Sequence, residues 1–437
     1  MKIAFHTLGC KVNQYETEAI KEKFIALNHE IVGETDFADV YLINTCTVTS
    51  LADRKSRQYI RRMKKLNPNA IVAVTGCYAQ VNKDEIAAVE GVNIVVGTNE
   101  KAHIVEYILD YINKNHGRCD DNIVEEHVLS YDNLNSFEEY GTITSMESRT
   151  RAYVKIQEGC NRFCSYCIIP YARGPVRSRD ASEVIKECKS LIDKGFKEII
   201  LTGINTALCD CLDDILEALE NLDGEFRVRL SSLEPTVINA EYVKSLFKYK
   251  RLCHHLHLSL QAGSNSVLKS MNRRYDREEY LEIVETLRNF DKNYGITTDI
   301  IVGFPGETEK NFEDTLDMVV KAKFGKVHSF KYSKRSGTKA AIMENQIHPQ
   351  IKKVRSNNLI ELSNKVSMDF NKDNIGSNRV VLFEEYDEKA KAIVGYTDNY
   401  IRAYLPCEKD QIYIYENKLL DVYIEDIFAD GVKVMVK

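Results

Sequence analysis

Short apolar runs alternate with helical patterns through most of this chain, and nothing constrains its fold more. Lys2–Thr7, Val40–Asn44, Ala70–Thr75 and Asn93–Val96 read as buried strands, with Glu16–Leu27, Ala52–Leu66 and Lys83–Val89 as helices between them. Such alternation predicts a parallel sheet wrapped by helices, an α/β unit of flavodoxin-like or Rossmann-like type. It resumes with strands at Arg151–Gln157, Lys197–Thr202, Arg227–Ser232, His255–Leu260, Thr297–Val302 and Val327–Tyr332. Six β/α units suggest an open, partial TIM-type barrel whose chemistry sits at the C-terminal strand ends. The helical stretch Pro349–Asp369 closes that block. After Asn378 the pattern turns all-β, with short strands expected at Arg379–Glu384, Lys391–Tyr396, Ile401–Leu405, Gln411–Tyr415 and Asp421–Ile427. From Asn113 to Thr150 periodicity fades, which reads as a linker with a strand near Asn122–Val128. The expected domains are therefore 1–113, 146–370 and 371–437.

A chain of 437 residues, 44% of them hydrophobic, is long enough for two or three cores. Its formal net charge of -6 says little about partners, because local clustering decides nucleic-acid binding. No apolar run approaches a membrane span, and Met1–His6 opens as a strand without a charged-then-apolar leader. The expectation is a cytoplasmic protein whose twelve cysteines are reduced or metal-bound.

Cys160, Cys164 and Cys167 form a C-x3-C-x2-C loop directly after the first strand of the second block. Three cysteines at that spacing can turn three sulfurs onto one centre. Zinc wants a fourth Cys or His at similarly tight spacing, and none follows. An iron–sulfur cube can be held by three thiolates, with one iron open to a ligand that is not protein. Tyr166 places an aromatic ring beside the last cysteine, where it can stack on a planar ligand. A structural zinc knuckle or a chance group of buried thiols is the bland alternative. The motif with its aromatic resembles the signature of radical S-adenosylmethionine (SAM) enzymes. That resemblance implies a 4Fe-4S cluster whose open iron is chelated by the amino and carboxylate groups of SAM, and reductive cleavage of SAM to a 5′-deoxyadenosyl radical.

Cys10, Cys46 and Cys77 each fall just past the C-terminal end of a strand in the first block, the edge where loops of an open α/β sheet converge on ligands. Their convergent reading is a second three-thiolate iron–sulfur site, the alternative being three buried core thiols. The loops around them, Thr7–Glu16, Asn44–Thr49 and Thr75–Gln80, resemble the N-terminal domain of the methylthiotransferases, which carries an auxiliary 4Fe-4S cluster. The resemblance covers nearly the whole chain. The Gly9–Glu16 wording is most similar to the branch acting on threonylcarbamoyladenosine in tRNA. It implies methylthiolation at carbon 2 of the modified adenosine at tRNA position 37, with tRNA as partner, an external electron donor and an unnamed sulfur source. Other targets the resemblance allows are isopentenyladenosine in tRNA and an aspartate of a ribosomal protein. A non-catalytic iron–sulfur RNA adaptor is the rival of another class, and it leaves the SAM motifs unexplained.

Further motifs follow successive strands of the partial barrel. Gly203-Ile204-Asn205 follows the second, where the resemblance implies a backbone contact to the methionine amine of SAM. Ser231 and Glu234 follow the third and offer a hydroxyl and a carboxylate to a ribose or amine. Gln261 follows the fourth, and Ile300–Thr308 supplies an apolar strand and glycines for an adenine ring. Singly these are weak, because glycine often marks only a strand-end turn; together they share one barrel edge.

The helix after Cys46 carries Arg54, Arg57, Arg61 and Lys65 among seven cations, either a solvated face or a phosphate-binding one. Arg173, Arg177 and Arg179 follow the cluster loop and can neutralise a substrate phosphate or a SAM carboxylate, or form ordinary salt bridges. Cys119, Cys188, Cys209, Cys211, Cys253 and Cys407 read as structural, and His254, His255 and His257 as core or rim. The all-β tail resembles the TRAM domain, which implies RNA binding. Acids outnumber bases in it, and Tyr396, Tyr400 and Tyr404 either stack bases or fill the barrel core.

Overall fold

A computed structural model describes residues 1–48, 50–115, 119, 123–144 and 150–437. Thr49, Asn122 and the expected boundary at 146 lie outside them. The chain divides into two compact units: 1–147 with 155–187 and 333–341, and 148–154 with 188–332 and 342–437. Among the described residues no helix is long and apolar enough to cross a membrane.

The first unit is built on a six-stranded parallel sheet of β1 (Lys2–Thr7), β2 (Glu30–Val32), β3 (Val40–Thr45), β4 (Ile71–Gly76), β5 (Ile94–Val96) and β6 (Glu125–His127), in the order 2-1-3-4-5-6. This is the doubly wound order of flavodoxin-like sheets with one strand added. The helices are α1 (Lys11–Ala26), α2 (Ser50–Leu66), α3 (Cys77–Val81), α4 (Lys83–Ala87), α5 (Ile104–Lys114) and, after the cluster loop, α6 (Ile169–Arg173). β3 and β4 are buried along their whole length, as uninterrupted apolar strands covered on both faces must be. One side of the core gathers Tyr41, Ile43, Ile60, Met63, Val72, Val74 and Tyr78.

The stretch read as a linker is not one. Leu134, Tyr140 and Ile143 are buried. Glu138 accepts from the Ala102 N–H at 2.8 Å, and Arg177 donates to the Leu134 carbonyl at 2.7 Å. Three widely spaced apolar residues pin this strap, a pattern without the regular period of a helix or strand.

The second unit carries the parallel strands of the partial barrel in chain order. Arg151–Lys155, Glu198–Thr202 and Arg227–Leu230 form one sheet; Ser232–Leu233, His255–Leu258, Gly295–Val302 and Lys326–Lys331 form the next. The expected third strand is thus split at Ser231. The helix Pro349–Asp373 leads to a closed five-stranded barrel of Asn378–Asp387, Ala392–Thr397, Arg402–Pro406, Leu419–Phe428 and Gly431–Val436. Here the expectation of a strand at Gln411–Tyr415 fails: Lys409–Gln411 is a 3-10 turn and Ile412–Tyr415 a helical turn. Glu408 and Gln411 form a reciprocal capping box, and Ile412 and Tyr415, three apart, pack together on the barrel core. The last strand, Gly431–Val436, was not expected.

Gly76 closes β4 just before Cys77. Its φ is +103°, and a Cβ there would stand 2.3 Å from the Thr45 carbonyl oxygen. Gly76→Ala is expected to destabilise the protein by about 2–4 kcal/mol through backbone strain and displacement of β3. Denaturant unfolding, with a parallel iron assay, measures it.

Candidate active site

The parallel sheet brings three cysteines to one edge. Cys10, Cys46 and Cys77 follow β1, β3 and β4 at their carboxyl ends, and β1 and β3 flank the point where the strand order reverses. A crevice opens at such a reversal because the connections on either side leave in opposite directions. Gly9 approaches Cys46 so closely that a Cβ would stand 3.1 Å from its sulfur. Cys10 is exposed; Cys46 and Cys77 are buried. The thiols lie within one another's field, for burial and then the neighbouring Cys77 push the Cys46 thiol up to about 12. Burial raises Cys77 as well, against the opposing pull of the Arg173 guanidinium.

Cys160, Cys164 and Cys167 lie half-buried on one loop. Backbone bonds close it: Cys167 N–H donates to the Cys164 carbonyl at 2.9 Å, and Cys160 N–H to the Gly174 carbonyl at 3.1 Å. Phe163 takes a left-handed conformation, φ +47°, and turns outward against Tyr171 with ring centroids 5.8 Å apart. Tyr166 is half-buried. The Ser165 carbonyl accepts from Ala340 N–H at 2.6 Å, which ties the 333–341 segment to this loop. Three soft sulfur donors in each set fit an iron–sulfur cube with one open iron; a closed zinc site wants four ligands.

A buried ion network joins the two sets. Arg173 ends α6, which packs against α3, and its side chain is 0% exposed. Its guanidinium donates to Glu16 at 2.9 Å, Glu158 at 2.7 Å, Asn13 at 2.5 Å and the Cys77 sulfur at 3.2 Å. Lys155 reaches Glu158 at 2.7 Å and Glu16 at 3.2 Å, and Lys101 pairs with Glu16 too. Burial opposes both carboxylates, yet Arg173 and the lysines hold Glu16 well below the usual carboxylate range and Glu158 at about 2.

These contacts correct the expectation that Arg173 and Arg177 meet substrate phosphate. Arg173 is sealed among protein partners, and Arg177 is buried and donates through its two terminal nitrogens to the carbonyls of Leu134 and Arg173 at 2.7 Å each. Arg179 pairs with Glu139 and Glu187. On α2, Arg57 is tied to Glu85 at 2.6 Å, whereas Arg54, Arg61 and Lys65 are exposed, and their spacing of seven and four puts them on one helical face. Glu16, Glu158, Lys101 and Lys155 carried no expectation. Lys155 had the clearest signal, a lone charge inside the otherwise apolar run 152–156.

In the second unit Gly203 and Asn205 follow one strand, and Ser231 and Glu234 the next. Asn205 donates to Glu234 at 3.0 Å, Arg273 pairs with Glu234 at 3.1 Å, and Ser231 and Thr202 hydroxyls lie 3.3 Å apart. Gln261, with φ +65°, bridges to the neighbouring strand through Asp299 and Ile301. Of the strand-end candidates, Asn205 thus meets Glu234, Ser231 meets Thr202, and Gln261 is bonded through its backbone.

Tyr396 and Tyr400 do not stand free for bases. They stack on each other at 5.0 Å, Tyr400 stacks on His255 at 4.5 Å, and Tyr404 is buried.

Arg173→Met is expected to cost about 3–5 kcal/mol at neutral pH, because two buried carboxylates lose their shared cation. Both carboxyls titrate low in the fold, so the stability they supply is full above about 4.5 and is lost as pH falls towards about 2. The deficit of the variant should therefore shrink over that window, as denaturant unfolding at several pH values would record.

The pattern of the Radical SAM superfamily matches residues 154–319, and that of the uncharacterized protein family UPF0004 matches residues 2–97. The threonylcarbamoyladenosine tRNA methylthiotransferase MtaB of Bacillus subtilis is 42% identical over 94% of this chain and 91% of its own length; its namesake from Aquifex aeolicus is 40% identical over 88% and 93%. A tRNA-2-methylthio-N(6)-dimethylallyladenosine synthase from Thermoanaerobacter is 38% identical over 83% of this chain and 78% of its own. Among solved structures, the radical SAM methyltransferase TsrM of Kitasatospora setae superposes with a TM-score of 0.57 at 14% identity, covering 78% of this chain and 77% of its own, a likeness of fold. The chain belongs to the threonylcarbamoyladenosine tRNA methylthiotransferase family, within the radical SAM superfamily.

Proposed function

We propose that this chain places a methylthio group on carbon 2 of threonylcarbamoyladenosine at position 37 of tRNA, using two 4Fe-4S clusters and SAM. The observation that carries this reading is the likeness to MtaB enzymes over nine-tenths of both chains, in a protein whose first unit holds two separate cysteine triads. The Thermoanaerobacter dimethylallyladenosine synthase matches with lower identity over less of each chain than the MtaB enzymes of Bacillus subtilis and Aquifex aeolicus, which favours the threonylcarbamoyl branch.

Cys160, Cys164 and Cys167 would hold one cluster, and Cys10, Cys46 and Cys77 the other. When bound, the clusters and SAM supply a radical able to act at an aromatic carbon–hydrogen bond, which has no acidic proton for side chains to remove. The residues do the holding. The Arg173 guanidinium donates to the Cys77 sulfur and its positive charge favours the thiolate, the form that binds iron. Tyr166, Gly203, Asn205, Ser231, Glu234 and Gln261 are our candidates for SAM, supported by the Asn205–Glu234–Arg273 cluster at the strand ends. In this reading an external donor supplies the electron and the enzyme works in the cytoplasm.

Changing Cys160, Cys164 and Cys167 together to Ala should remove about half of the bound iron and abolish SAM cleavage, since three thiolates hold each cube. The Cys10/Cys46/Cys77 variant should lose a similar share and keep SAM cleavage without making product. Full iron in either variant would remove that assignment, and nucleoside mass spectrometry on threonylcarbamoylated tRNA reads the product.

The tRNA backbone needs cations, and Arg54, Arg61 and Lys65 offer them. Neutralising all three should weaken tRNA binding and reduce the slope of log affinity on log salt by about 0.7 to 0.9 for each phosphate left without its cation. Binding at three salt concentrations measures this, and an unchanged slope would leave α2 without a part in RNA binding.

A further inference from the structure

The first unit contains an open cleft of about 520 Å³ whose walls include Asp53, Val81, Ile168, Tyr171, Lys334 and Arg335. Its place in the chain is unusual. Val81 ends the short helix that Cys77 begins, one turn away, and Ile168 directly follows Cys167. The cleft is thus bordered by segments that carry cysteines of both sets.

Its polar groups are arranged around one guanidinium. Arg335 pairs with Asp53 at 2.7 Å and donates to the Thr47 hydroxyl beside Cys46. Both side chains are about nine-tenths buried, and among the described residues the Arg335 Nε and the Asp53 Oδ1 have no partner. Buried donors and acceptors are normally satisfied, so a ligand group that completes this pair after a small side-chain shift is favoured. Lys334 is exposed at the cleft and makes no ion pair among the described residues. The nearby Arg57 is neutralised by Glu85. Lys334, Arg335 and Asp53 therefore leave one positive charge beside the apolar surfaces of Val81, Ile168 and Tyr171.

We propose that this cleft receives the threonylcarbamoyl arm of the target nucleoside, an inference that rests on the substrate reading above. The arm carries one carboxylate, a hydroxyl, urea N–H groups and a methyl. The carboxylate lies with Lys334 and Arg335, a hydroxyl or urea N–H donates to Asp53, and the methyl meets the apolar wall. The charge of the arm matches that of the cleft. A dimethylallyl arm has no group for the buried pair and leaves the positive charge uncompensated, so the same residues select against it.

The test compares anticodon stem-loops carrying threonylcarbamoyladenosine, the same nucleoside with its carboxylate converted to a primary amide, and dimethylallyladenosine. Affinities are measured anaerobically on the holoenzyme at one salt concentration. Wild type should bind the carboxylate loop roughly 10- to 100-fold tighter than the amide loop, as expected for a charge-assisted contact. Lys334→Gln, at an exposed position, should bring that ratio several-fold closer to one, and Arg335→Gln should bring it closer still, with iron content reporting that the fold is kept. Equal affinity of wild type for carboxylate and amide, or an unchanged ratio in Lys334→Gln, overturns the proposal. If the threonylcarbamoyl loop is methylthiolated while the amide binds equally well, the cleft alone is misassigned. If wild type modifies only the dimethylallyl loop, the substrate reading falls and takes this inference with it.

Discussion

The first unit depends on charges that water cannot reach. Arg173, Lys155 and Lys101 meet Glu16 and Glu158 in a network whose side chains are almost wholly buried. Taking such ions out of water costs several kcal/mol each, which close and multiple contacts must offset. What the arrangement supplies is position. Glu16 stands on α1 after the Cys10 loop, Glu158 stands two residues before Cys160, and Arg173 closes the helix after Cys167 while touching the Cys77 sulfur. One guanidinium thereby fixes the spacing of segments that carry two separate cysteine sets. The network also carries one more positive than negative charge, a surplus suited to thiolates and to the anionic clusters they bind.

The buried thiols must change their protonation to take up metal. Burial keeps Cys46 and Cys77 protonated when no metal is present, so metal binding must expel the protons. Arg173 lowers that cost at Cys77 and does not remove it.

A second buried network organises the other unit. Glu198 pairs with Arg227 at 2.6 Å and Arg229 at 3.0 Å, and these arginines donate onward to carbonyls of Val380, Tyr396 and Asp398. Glu198 and Arg227 open their strands, and Arg229 is the third residue of the four-residue strand that Arg227 opens. The small β-barrel is fastened through these two arginines, with Arg227 on the Tyr396 carbonyl and Arg229 over the Tyr400 ring at 4.9 Å. Any contact of the small barrel with RNA must use faces other than those tyrosines.

How much of this the sequence determined by itself follows from the range of the forces involved. Strand and helix periods are local, so β1, β3, β4 and the six parallel strands of the second unit were legible almost to their ends, as was the edge at which Cys10, Cys46 and Cys77 emerge. Cysteine spacing within one loop is local too, and it alone singled out Cys160, Cys164 and Cys167 as a candidate set. What only the tertiary structure decided was partnership. Arg173, Arg177 and Arg57 look in sequence like cations awaiting phosphate, and the fold gives each a protein partner from a distant segment. The Gln411–Tyr415 alternation promised a strand, until capping by Glu408 and packing of Ile412 on the barrel made it helical. Pairing between residues such as Lys101 and Glu16, or Arg335 and Asp53, has no period to read, because it arises only when segments far apart in the chain are brought to the same desolvated place.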